Sequence, residues 1–244
     1  MKKMFLLFLA LPLFWACEND SSDYVKTYVR IGTVENPNQS TSFLLKQDDS
    51  ITTKVVQNYV NYYRPKDKQR VILRYQILDE KPDSLPQKYD VRVYAVYEIL
   101  TKDIFKITPQ TEDSIGNEPI IIRDMWVAND HLNVEFSYYG YSKTHFINLV
   151  SDASNTSTDN KVHLEFRHNT NNDYPYYYTN GMVSFRLDSL KVDGQTKTDF
   201  VVHVNKYGSS GSTTTYDFTY KYGSNNVQQS AKMISDIERK AIFK

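Results

Sequence analysis

The feature that most constrains the fold of this chain is an alternation of polar and apolar residues with a period of two. In residues 24–31, the alternating sets are Tyr24, Lys26, Tyr28 and Arg30 against Val25, Thr27, Val29 and Ile31. Successive side chains of a β-strand point to opposite faces, so this spacing predicts strands. The chain also contains 20 Tyr and 12 Phe, and aromatic residues fit a pleated, half-buried surface. We therefore predict an all-β fold.

A segment rich in helix and strand breakers divides the pattern into two parts. Residues 108–119 hold two prolines, a glycine and several acids and amides, which is typical of a linker between domains. We place one domain at residues 24–110 and a second at 111–244. The first has five predicted strands and no helix, which fits a small closed barrel. These strands are residues 24–31, 43–45, 51–56, 71–78 and 91–100.

The second part has seven predicted strands joined by loops rich in Asn, Ser, Thr and Gly, which favours an antiparallel β-sandwich. These strands are residues 119–122, 132–138, 144–150, 161–167, 182–190, 199–205 and 213–222. Only residues 227–242 have apolar residues at helical spacing. A helix is predicted there.

The first 16 residues have the anatomy of a secretory signal peptide. Lys2 and Lys3 give a positive start, residues 4–14 are apolar, and Ala16 is a small residue at a cleavage point. The apolar run is too short to cross a membrane, which takes about 20 apolar residues. We therefore predict export and removal of residues 1–16.

The lone cysteine, Cys17, follows this leader directly. A single cysteine cannot form an internal disulfide, but one at this position resembles the lipobox of bacterial lipoproteins, in which the thiol is acylated, for example by palmitate. Phe14 and Trp15 depart from the usual lipobox residues, whereas Ala16 keeps its pattern. Residues 17–23 then form an acidic tether. This tether resembles the signal that routes Bacteroidetes lipoproteins to the cell surface, so we expect a cell-envelope, outer-membrane lipoprotein facing either the periplasm or the exterior.

Charge argues against one class of partner. The chain has 29 basic and 29 acidic residues, so no basic field exists to bind phosphates, and a nucleic-acid partner is not expected. Residues 62–70 mix bases with tyrosines. We interpret this run as a solvated connecting loop.

Residues 122–138, IRDMWVANDHLNVEFSY, together with residues 144–150, THFINLV, resemble the signature of the NigD-like lipoproteins of Bacteroidetes. The resemblance implies an N-terminal OB-type barrel, a C-terminal β-sandwich and a lipidated leader. It also implies a role in bacteriocin immunity, which was proposed for the founding member. It assigns no catalytic or ligand-binding residues. The charged residues 237–240 depart from the family pattern.

The same block can be interpreted without the family. Trp126 precedes a turn at Asn129 and Asp130, and is predicted to anchor the core. The apolar residues Leu132, Val134 and Phe136 then alternate with Asn133, Glu135 and Ser137. This pattern predicts a strand with one buried face and one solvent-exposed face.

No motif for catalysis is present. The sequence lacks the G-x-S-x-G and S-x-x-K serine motifs and phosphate-binding glycine loops. None of the five histidines has H-x-H or H-x-x-x-H spacing, and His163 and His203 are predicted on solvent-facing sides of strands. We expect no enzyme activity, no metal and no cofactor.

Tyrosines supply the candidate binding site. Tyr174, Tyr176, Tyr177 and Tyr178 lie in one segment bounded by Asn and Gly, and Tyr139 and Tyr141 form a second group. Tyr gives rigid, amphipathic contact area, which binding loops need. The alternative is that these rings cover sandwich edges or enter the core. Strand alternation predicts that at least one of residues 176–178 is buried and at least one is exposed.

Four serines stand in Asp-Ser-aliphatic triplets, which resemble the acceptor of O-glycans in exported Bacteroidetes proteins. They are Ser50, Ser84, Ser114 and Ser189. The first three fall in predicted turns or linkers, where a bulky modification is tolerated.

These observations favour a lipid-anchored binding protein. One hypothesis is an immunity or envelope-protection protein that captures a secreted peptide or bacteriocin. The other is an accessory protein that binds a surface glycan or protein partner through the tyrosine loop.

Replacing Cys17 by Ala should move the protein from the membrane to the soluble fraction, because the acyl chains lose their attachment site. Each buried methylene of an anchor contributes ~0.8 kcal/mol, and two or more chains give stable attachment. Fractionation followed by a carbonate wash measures this, with Ser21→Ala in the same tether as the control. A Cys17→Ala protein that survives the wash on the membrane would contradict the lipoprotein hypothesis.

Overall fold

The computed structural model of the protein describes residues 25–37, 42–81, 88–108, 110–152, 158–208 and 213–223. It confirms the all-β prediction: a closed five-stranded barrel is followed by two further sheets of five and four strands. Within the described part of the chain, helices are too short and too polar to span a bilayer. The predicted signal peptide 1–16, Cys17, the tether 17–23, Ser84 and the predicted helix at 227–242 lie outside the described residues.

The barrel forms from the strands that the alternation predicted, with apolar residues of each strand pointing inward. Its order is β1-β2-β3-β5-β4, and β3 pairs with β5 in parallel while the other neighbours are antiparallel. Val34, Leu45, Val55, Leu73 and Val91 are fully buried in its core. The strands are β1 (Tyr28–Glu35), β2 (Phe43–Gln47), β3 (Thr52–Asn58), β4 (Arg70–Lys81) and β5 (Lys88–Glu98).

Nine strands build the sandwich, in sheets of order β14-β13-β11-β10-β7 and β6-β12-β9-β8. Leu132, Val134, Leu149, Phe166 and Phe185 pack in the core between the sheets. The strands are β6 (Leu100–Asp103), β7 (Phe105–Ile107), β8 (Ile121–Ala128), β9 (His131–Gly140), β10 (Phe146–Asp152), β11 (Val162–Asn169), β12 (Tyr177–Arg186), β13 (Lys197–Asn205) and β14 (Thr213–Lys221).

Strands β6 and β7 connect the two units. β6 pairs in parallel with β12, and β7 pairs in parallel with β10. Pairing therefore changes from barrel to sandwich between Glu98 and Leu100, before the boundary predicted at 110/111. The predicted linker contains one short helix, α1 (Glu112–Ile115). β6 and β7 have only four and three residues. Such short segments do not show a recognisable two-residue alternation in the sequence.

Strand β9 departs from its sequence pattern, since the predicted solvent-exposed face is buried. Asn133 and Ser137 are fully buried and Glu135 is 9% exposed. The side-chain carbonyl of Asn133 accepts a hydrogen bond from Arg70 of the barrel at 2.8 Å. Glu135 lies 3.7 Å from Arg123, and Ser137 donates to Asn180 at 2.7 Å. The barrel and neighbouring side chains thus replace solvent on this face.

A buried ion pair of the barrel is hydrogen-bonded to the sandwich. Arg70, whose side chain is 0% exposed, donates two hydrogen bonds to Asp48, at 2.6 and 2.8 Å. The indole N–H of Trp126 also donates to Asp48, at 3.2 Å. A buried charge is tolerated when it is paired and its remaining hydrogen-bonding groups are satisfied. The carboxylate of the barrel therefore fixes where the β8–β9 hairpin packs.

The turn between β8 and β9 adds a second contact between the units. Asn129 and Asp130 both have positive φ, 47° and 61°, as a tight two-residue hairpin requires. This places the Asn129 amide against the barrel, where it donates to Asp48 at 3.0 Å and to the backbone carbonyls of Lys46 and Gln47 at 3.1 Å.

An apolar cluster lies beside these polar contacts. It consists of the buried residues Ile31, Ile99, Trp126 and Ala128, with the partly buried Ile72 and Met182 packed against them. The predicted anchor residue Trp126 is thus 3% exposed, at the junction of the two units.

The interpretation of residues 62–70 as a solvated loop was wrong at two positions. Tyr62 is 82% exposed, but Tyr63 is 3% exposed and packs against Phe43. Arg70 begins β4 and forms the buried ion pair. Both side chains point into the barrel or its junction rather than into solvent.

The substitution Arg70→Met should lower the free energy of unfolding by about 3–5 kcal/mol, because it leaves the Asp48 carboxylate buried without its cation. The double variant Asp48→Leu/Arg70→Met should recover most of this loss, since no buried charge remains. Urea unfolding followed by Trp126 fluorescence measures both. The second of the two tryptophans, Trp15, belongs to the predicted leader.

Lys161→Ala serves as the control, because Lys161 and Asp217 form an exposed pair at 2.6 Å. Exposed pairs contribute little, so this variant should unfold almost as the wild type does. An Arg70→Met protein as stable as Lys161→Ala would show that the junction does not depend on the ion pair.

Candidate functional site

The structure brings the two predicted tyrosine groups together on one surface. In the antiparallel β9–β12 pair, Tyr139 lies opposite Tyr178 and Gly140 lies opposite Tyr177. The segments that follow β9 and precede β12 therefore sit side by side. We call the resulting surface the tyrosine face; it consists of Tyr139, Tyr141, Tyr174, Tyr176, Tyr177, Tyr178 and Tyr207.

The rings of the tyrosine face are exposed rather than buried in the core, except that of Tyr139, which is half-buried. Tyr174, Tyr176 and Tyr177 are 69%, 61% and 56% exposed, and Tyr178 is 48% exposed. The prediction that strand alternation buries at least one of residues 176–178 was wrong. Tyr176 precedes the strand, and β12 begins where neither face of the sheet is covered.

The exposed rings support one another mainly through edge contacts. Tyr176 and Tyr177 meet at 4.6 Å with an interplanar angle of 86°, and Tyr141 and Tyr176 meet at 6.0 Å and 80°. Tyr141 and Tyr177 are nearly parallel, at 18° and 5.9 Å. Edge-to-face contacts of this kind contribute about 0.5–1.5 kcal/mol each. The face is thus a set of mutually braced rings pointing in different directions.

Asp173 fastens the two loops of the tyrosine face to each other. Its side chain is 3% exposed and accepts hydrogen bonds from the backbone N–H groups of Tyr141, at 2.5 Å, and Ser142, at 3.2 Å. Burial favours a higher pKa for Asp173, but these N–H donors and the His145 ring outweigh it and hold the pKa well below its usual range. Asp173 is therefore a carboxylate.

Two histidines lie below Asp173. The Nε2 atom of His145 is 3.2 Å from Asp173, and its Nδ1 atom is 2.8 Å from Nε2 of His168. The Tyr138 ring packs on His145 at a centroid distance of 4.3 Å. Burial lowers the pKa of His168, and His145 opposes its protonation further, although the carbonyl of Pro119 favours it. The tyrosine face thus rests on a buried polar chain.

A second histidine pair lies on strands β11 and β13. His163 and His203 approach to 2.8 Å, and Asp159 lies 3.0 Å from His163. Both histidines are half-buried, so their predicted solvent-facing positions are only partly right. Among the described residues, no group of three or more His, Cys, Asp or Glu side chains could hold a metal ion.

A cleft of about 430 Å³ opens at the junction of the two units. Its walls carry both signs of charge, from Lys46, Lys68, Arg186 and Lys191 and from Glu35, Asp67, Asp130 and Asp188. Burial lowers the pKa of His131 in its wall to about 4. His131 is therefore neutral near pH 7, and the mixed lining favours no charged class of ligand.

Three of the four predicted O-glycosylation serines are described. Ser50 is half-buried in the β2–β3 turn with φ of 70°. Ser114 lies exposed on α1, and Ser189 lies exposed in the 3₁₀ turn Asp188–Leu190. Ser114 and Ser189 are thus the accessible positions among these three.

Family comparisons agree with this architecture. Residues 31–99 match the model of the NigD-like N-terminal OB domain, and residues 103–220 match that of the NigD-like C-terminal β-sandwich domain. The chain belongs to the NigD-like family. The resemblance of residues 122–138 is confirmed, and the barrel is of the OB type.

Several solved structures are similar to this NigD-like protein. A protein of unknown function from Bacteroides vulgatus is 28% identical, with a TM-score of 0.68, covering 86% of this chain and 99% of that one. A protein described as toxin-related from Parabacteroides distasonis is 27% identical, with a TM-score of 0.67 and coverage of 88% and 99%. A NigD-like immunity protein from Bacteroides caccae shares the fold at 19% identity, with a TM-score of 0.62 and coverage of 82% and 98%. No curated protein matches the chain.

Sequence reasoning found the rings of this NigD-like protein but missed the polar chain below them. His145 and His168 are 23 residues apart, and Asp173 is 28 residues from His145. No local motif marks such a set. Gly140 also lies against this chain, because a Cβ atom there would lie 2.8 Å from the His145 ring.

The substitution Asp173→Asn should lower the melting temperature at neutral pH, because the amide is a weaker acceptor for two backbone N–H groups and leaves His145 without its carboxylate. The folded-state pKa of Asp173 is lowered, so its contribution is present above the usual pKa of about 4 and is lost as pH falls. The melting temperatures of the wild type and the variant, measured from pH 7 to pH 3, should therefore begin to converge below about pH 4.

Asp193→Asn is the matched control, since Asp193 is exposed in a turn. It should unfold as the wild type does at every pH. A constant difference between Asp173→Asn and wild type down to pH 3 would contradict the lowered pKa.

Proposed function

We propose that this protein is an exported, lipid-anchored binding protein of the cell envelope that captures a secreted peptide or protein, such as a bacteriocin, on its tyrosine face. Its role would be immunity or envelope protection. The observation that carries the proposal is the exposure of braced tyrosine rings, with Tyr141, Tyr174 and Tyr176 each more than 60% exposed.

Tyrosine-rich surfaces of this kind are typical of protein recognition. Tyr buries a large area while ordering only two torsion angles, so binding costs little side-chain entropy. Binding hot spots are enriched in Tyr, Trp and Arg, and Arg123 lies 3.4 Å from the Tyr178 hydroxyl. Ring contacts already fix the orientation of Tyr141, Tyr176 and Tyr177, so less ordering remains to be done on binding.

The ring orientations favour a peptide or protein over a glycan. A sugar stacks on a flat aromatic surface, but Tyr176 is nearly perpendicular to both Tyr141 and Tyr177. Such rings form an uneven surface with hydroxyl groups in several directions. Such an uneven surface fits the mixed apolar and polar surface of a polypeptide. The near-parallel pair Tyr141 and Tyr177 is the feature that a glycan would use.

The burial of the polar chain below the rings supports a binding role rather than a catalytic one. The side chains of His145 and Asp173 are 2% and 3% exposed, and His168 is 1% exposed. A general base must reach its substrate within hydrogen-bonding distance, and these groups are covered. We infer that they support the loops.

Family and leader supply the biological setting of the proposal. The Bacteroides caccae relative is a NigD-like immunity protein, which agrees with capture of an antibacterial peptide. The apolar leader and Cys17 favour attachment to the outer membrane. An anchored receptor would meet a secreted toxin before the toxin reaches its target.

The test is a protection assay in a host sensitive to the secreted peptides of related strains. Cells that express the wild-type protein should survive exposure to a cell-free culture fluid that kills cells lacking it. Tyr141→Ala/Tyr176→Ala should abolish protection, since truncation of a binding hot spot costs about 2 kcal/mol or more, which weakens binding about 30-fold. Thermal unfolding should remain close to that of the wild type, because both rings are largely exposed.

Tyr62→Ala is the matched control, because Tyr62 is 82% exposed but belongs to the barrel. It should protect fully. Protection by Tyr141→Ala/Tyr176→Ala at the wild-type level would refute the tyrosine face as the binding site. Binding of a glycan panel that depends on the same two rings would instead establish the accessory-protein alternative.

A further inference from the structure

We infer that one outer face of the barrel docks on the membrane surface and binds the phosphate groups of anionic lipids. This face is centred on Arg92, whose guanidinium is held between two glutamines and against a tyrosine ring. The inference rests on the lipid anchor of the proposed function, but not on what the tyrosine face captures.

Three neighbouring strands place Gln57, Arg92 and Gln76 side by side. In the strand register, Arg92 of β5 lies opposite Gln57 of β3 on one side and opposite Gln76 of β4 on the other. Val91 and Val93 are buried in the barrel core, so Arg92 points outward, because successive side chains of a strand alternate between faces. We call this set the arginine row; it consists of Gln57, Arg92 and Gln76 with the rings of Tyr59 and Tyr94.

Hydrogen bonds within the arginine row use its amide oxygens and leave N–H donors. Arg92 donates from Nε to Gln57 Oε1 at 2.5 Å and from Nη1 to Gln76 Oε1 at 3.4 Å. The Tyr94 hydroxyl also donates to Gln76 Oε1, at 2.8 Å. The amide N–H groups of both glutamines and the remaining N–H groups of Arg92 have no acceptor within the part of the chain that the structure describes. Since these groups can only donate, the row is suited to a ligand rich in acceptors.

An exposed aromatic ring lies against the arginine. The guanidinium carbon of Arg92 is 5.4 Å from the centre of the Tyr59 ring, and Tyr94 meets Tyr59 edge-on at 5.6 Å and 80°. Tyr59 is 58% exposed. Tyrosine is enriched where a membrane meets water, and the planar donor fork of arginine matches the oxygens of a phosphate. The row thus combines two side chains that suit a layer of lipid headgroups.

The positive charge of the arginine row is local. Arg92 forms no ion pair with a carboxylate among the described residues, and Arg74, two positions before Gln76 on β4, has a buried Nε without a hydrogen-bond partner. The adjacent register positions hold Lys54, Asp90 and Asp79 and so carry both signs of charge. The row is therefore not part of a broad basic field, and its contact with a membrane is weak by itself.

The tether makes a weak contact sufficient. Tyr28 of β1 lies opposite Tyr75 of β4, so the chain enters the barrel beside Gln76 of the arginine row. Val25, the first described residue, lies eight residues after Cys17, and an extended chain of this length spans at most about 28 Å. A surface held this close by a short linker meets its partner at an effective concentration of roughly millimolar.

Docking through the arginine row turns the tyrosine face away from the membrane. Gln76 lies six residues along β4 from Arg70, and Tyr139 lies six residues along β9 from Asn133. At a strand rise of about 3.3 Å per residue, each is about 20 Å from the junction, where Arg70 and Asn133 are hydrogen-bonded. The row and the tyrosine face thus lie on opposite sides of the junction, and a docked barrel holds the tyrosine face toward the solvent.

The experiment attaches residues 17–244 to nanodiscs through the thiol of Cys17, the only cysteine, by means of a maleimide lipid. The discs contain phosphatidylcholine with or without phosphatidylglycerol, and a lipid with a spin-labelled headgroup. In NMR of ring-¹³C-tyrosine, the Tyr59 signal should broaden in discs with phosphatidylglycerol, whereas the Tyr141 and Tyr176 signals should stay sharp. Salt at about 1 M should reverse the broadening, because the Debye length falls to about 3 Å.

The substitution Arg92→Gln should lower the ratio of docked to undocked protein about fivefold, the usual effect of one basic residue near an anionic membrane. Gln57→Glu should lower it as well, since it keeps an acceptor for Arg92 but cancels the charge, and it serves as the test if Arg92→Gln does not fold. Arg186→Gln is the matched control, because Arg186 pairs with Asp103 of the sandwich at 3.1 Å. It should leave the broadening of Tyr59 unchanged.

A Tyr59 signal that is equally sharp in all discs, or that broadens equally without phosphatidylglycerol, would overturn the inference. A sharp signal that shifts on addition of polygalacturonate would instead assign the arginine row to acidic glycans. A sharp signal that shifts when Glu18, Asp20 and Asp23 of the tether are replaced by amides would assign it to the tether. The chemical attachment makes the result independent of native acylation, and no secreted peptide is present, so a failed protection assay would count against the proposed function alone.

Discussion

The arrangement of the two β units depends on the buried contact between Arg70 and Asp48. Both residues belong to the barrel, yet Arg70 also donates to Asn133 of the sandwich, and Asp48 also accepts from Trp126 and Asn129. The barrel alone would leave this ion pair incompletely satisfied, and such a charge is costly away from water. The β8–β9 hairpin therefore completes the barrel, and the barrel in turn covers the outer face of the hairpin.

This dependence explains which parts of the fold could be predicted from sequence. Alternation identified the barrel strands and most sandwich strands because each strand repeats its pattern over several residues. It failed on β9, where Asn133 and Ser137 have polar side chains but are buried. A polar side chain indicates a solvent-exposed position only where no other part of the protein covers it. Arg70, 22 residues from Asp48, was assigned to a solvated loop for the same reason.

The candidate site could likewise be predicted only in part from the sequence. Composition located the tyrosines, and strand pairing then placed Tyr139 beside Tyr178. Composition could not show that the rings stand on Asp173, His145 and His168, because these residues meet only through the fold. The exposed layer was visible in the sequence, and the buried layer that orders it was not. A surface of large rings keeps its shape only if the backbone beneath is fixed, so the two layers belong to one site.

Strands β6 and β7 have a consequence for how copies of this protein behave side by side. Each forms one edge of a sandwich sheet, and they are only four and three residues long. An open sheet edge offers unpaired backbone groups to any neighbouring chain, and long flat edges seed aggregation. An edge this short gives an incoming strand very few hydrogen bonds to complete. The link between the units thus also caps both sheets on one side, which disfavours edge-to-edge association where many copies crowd together.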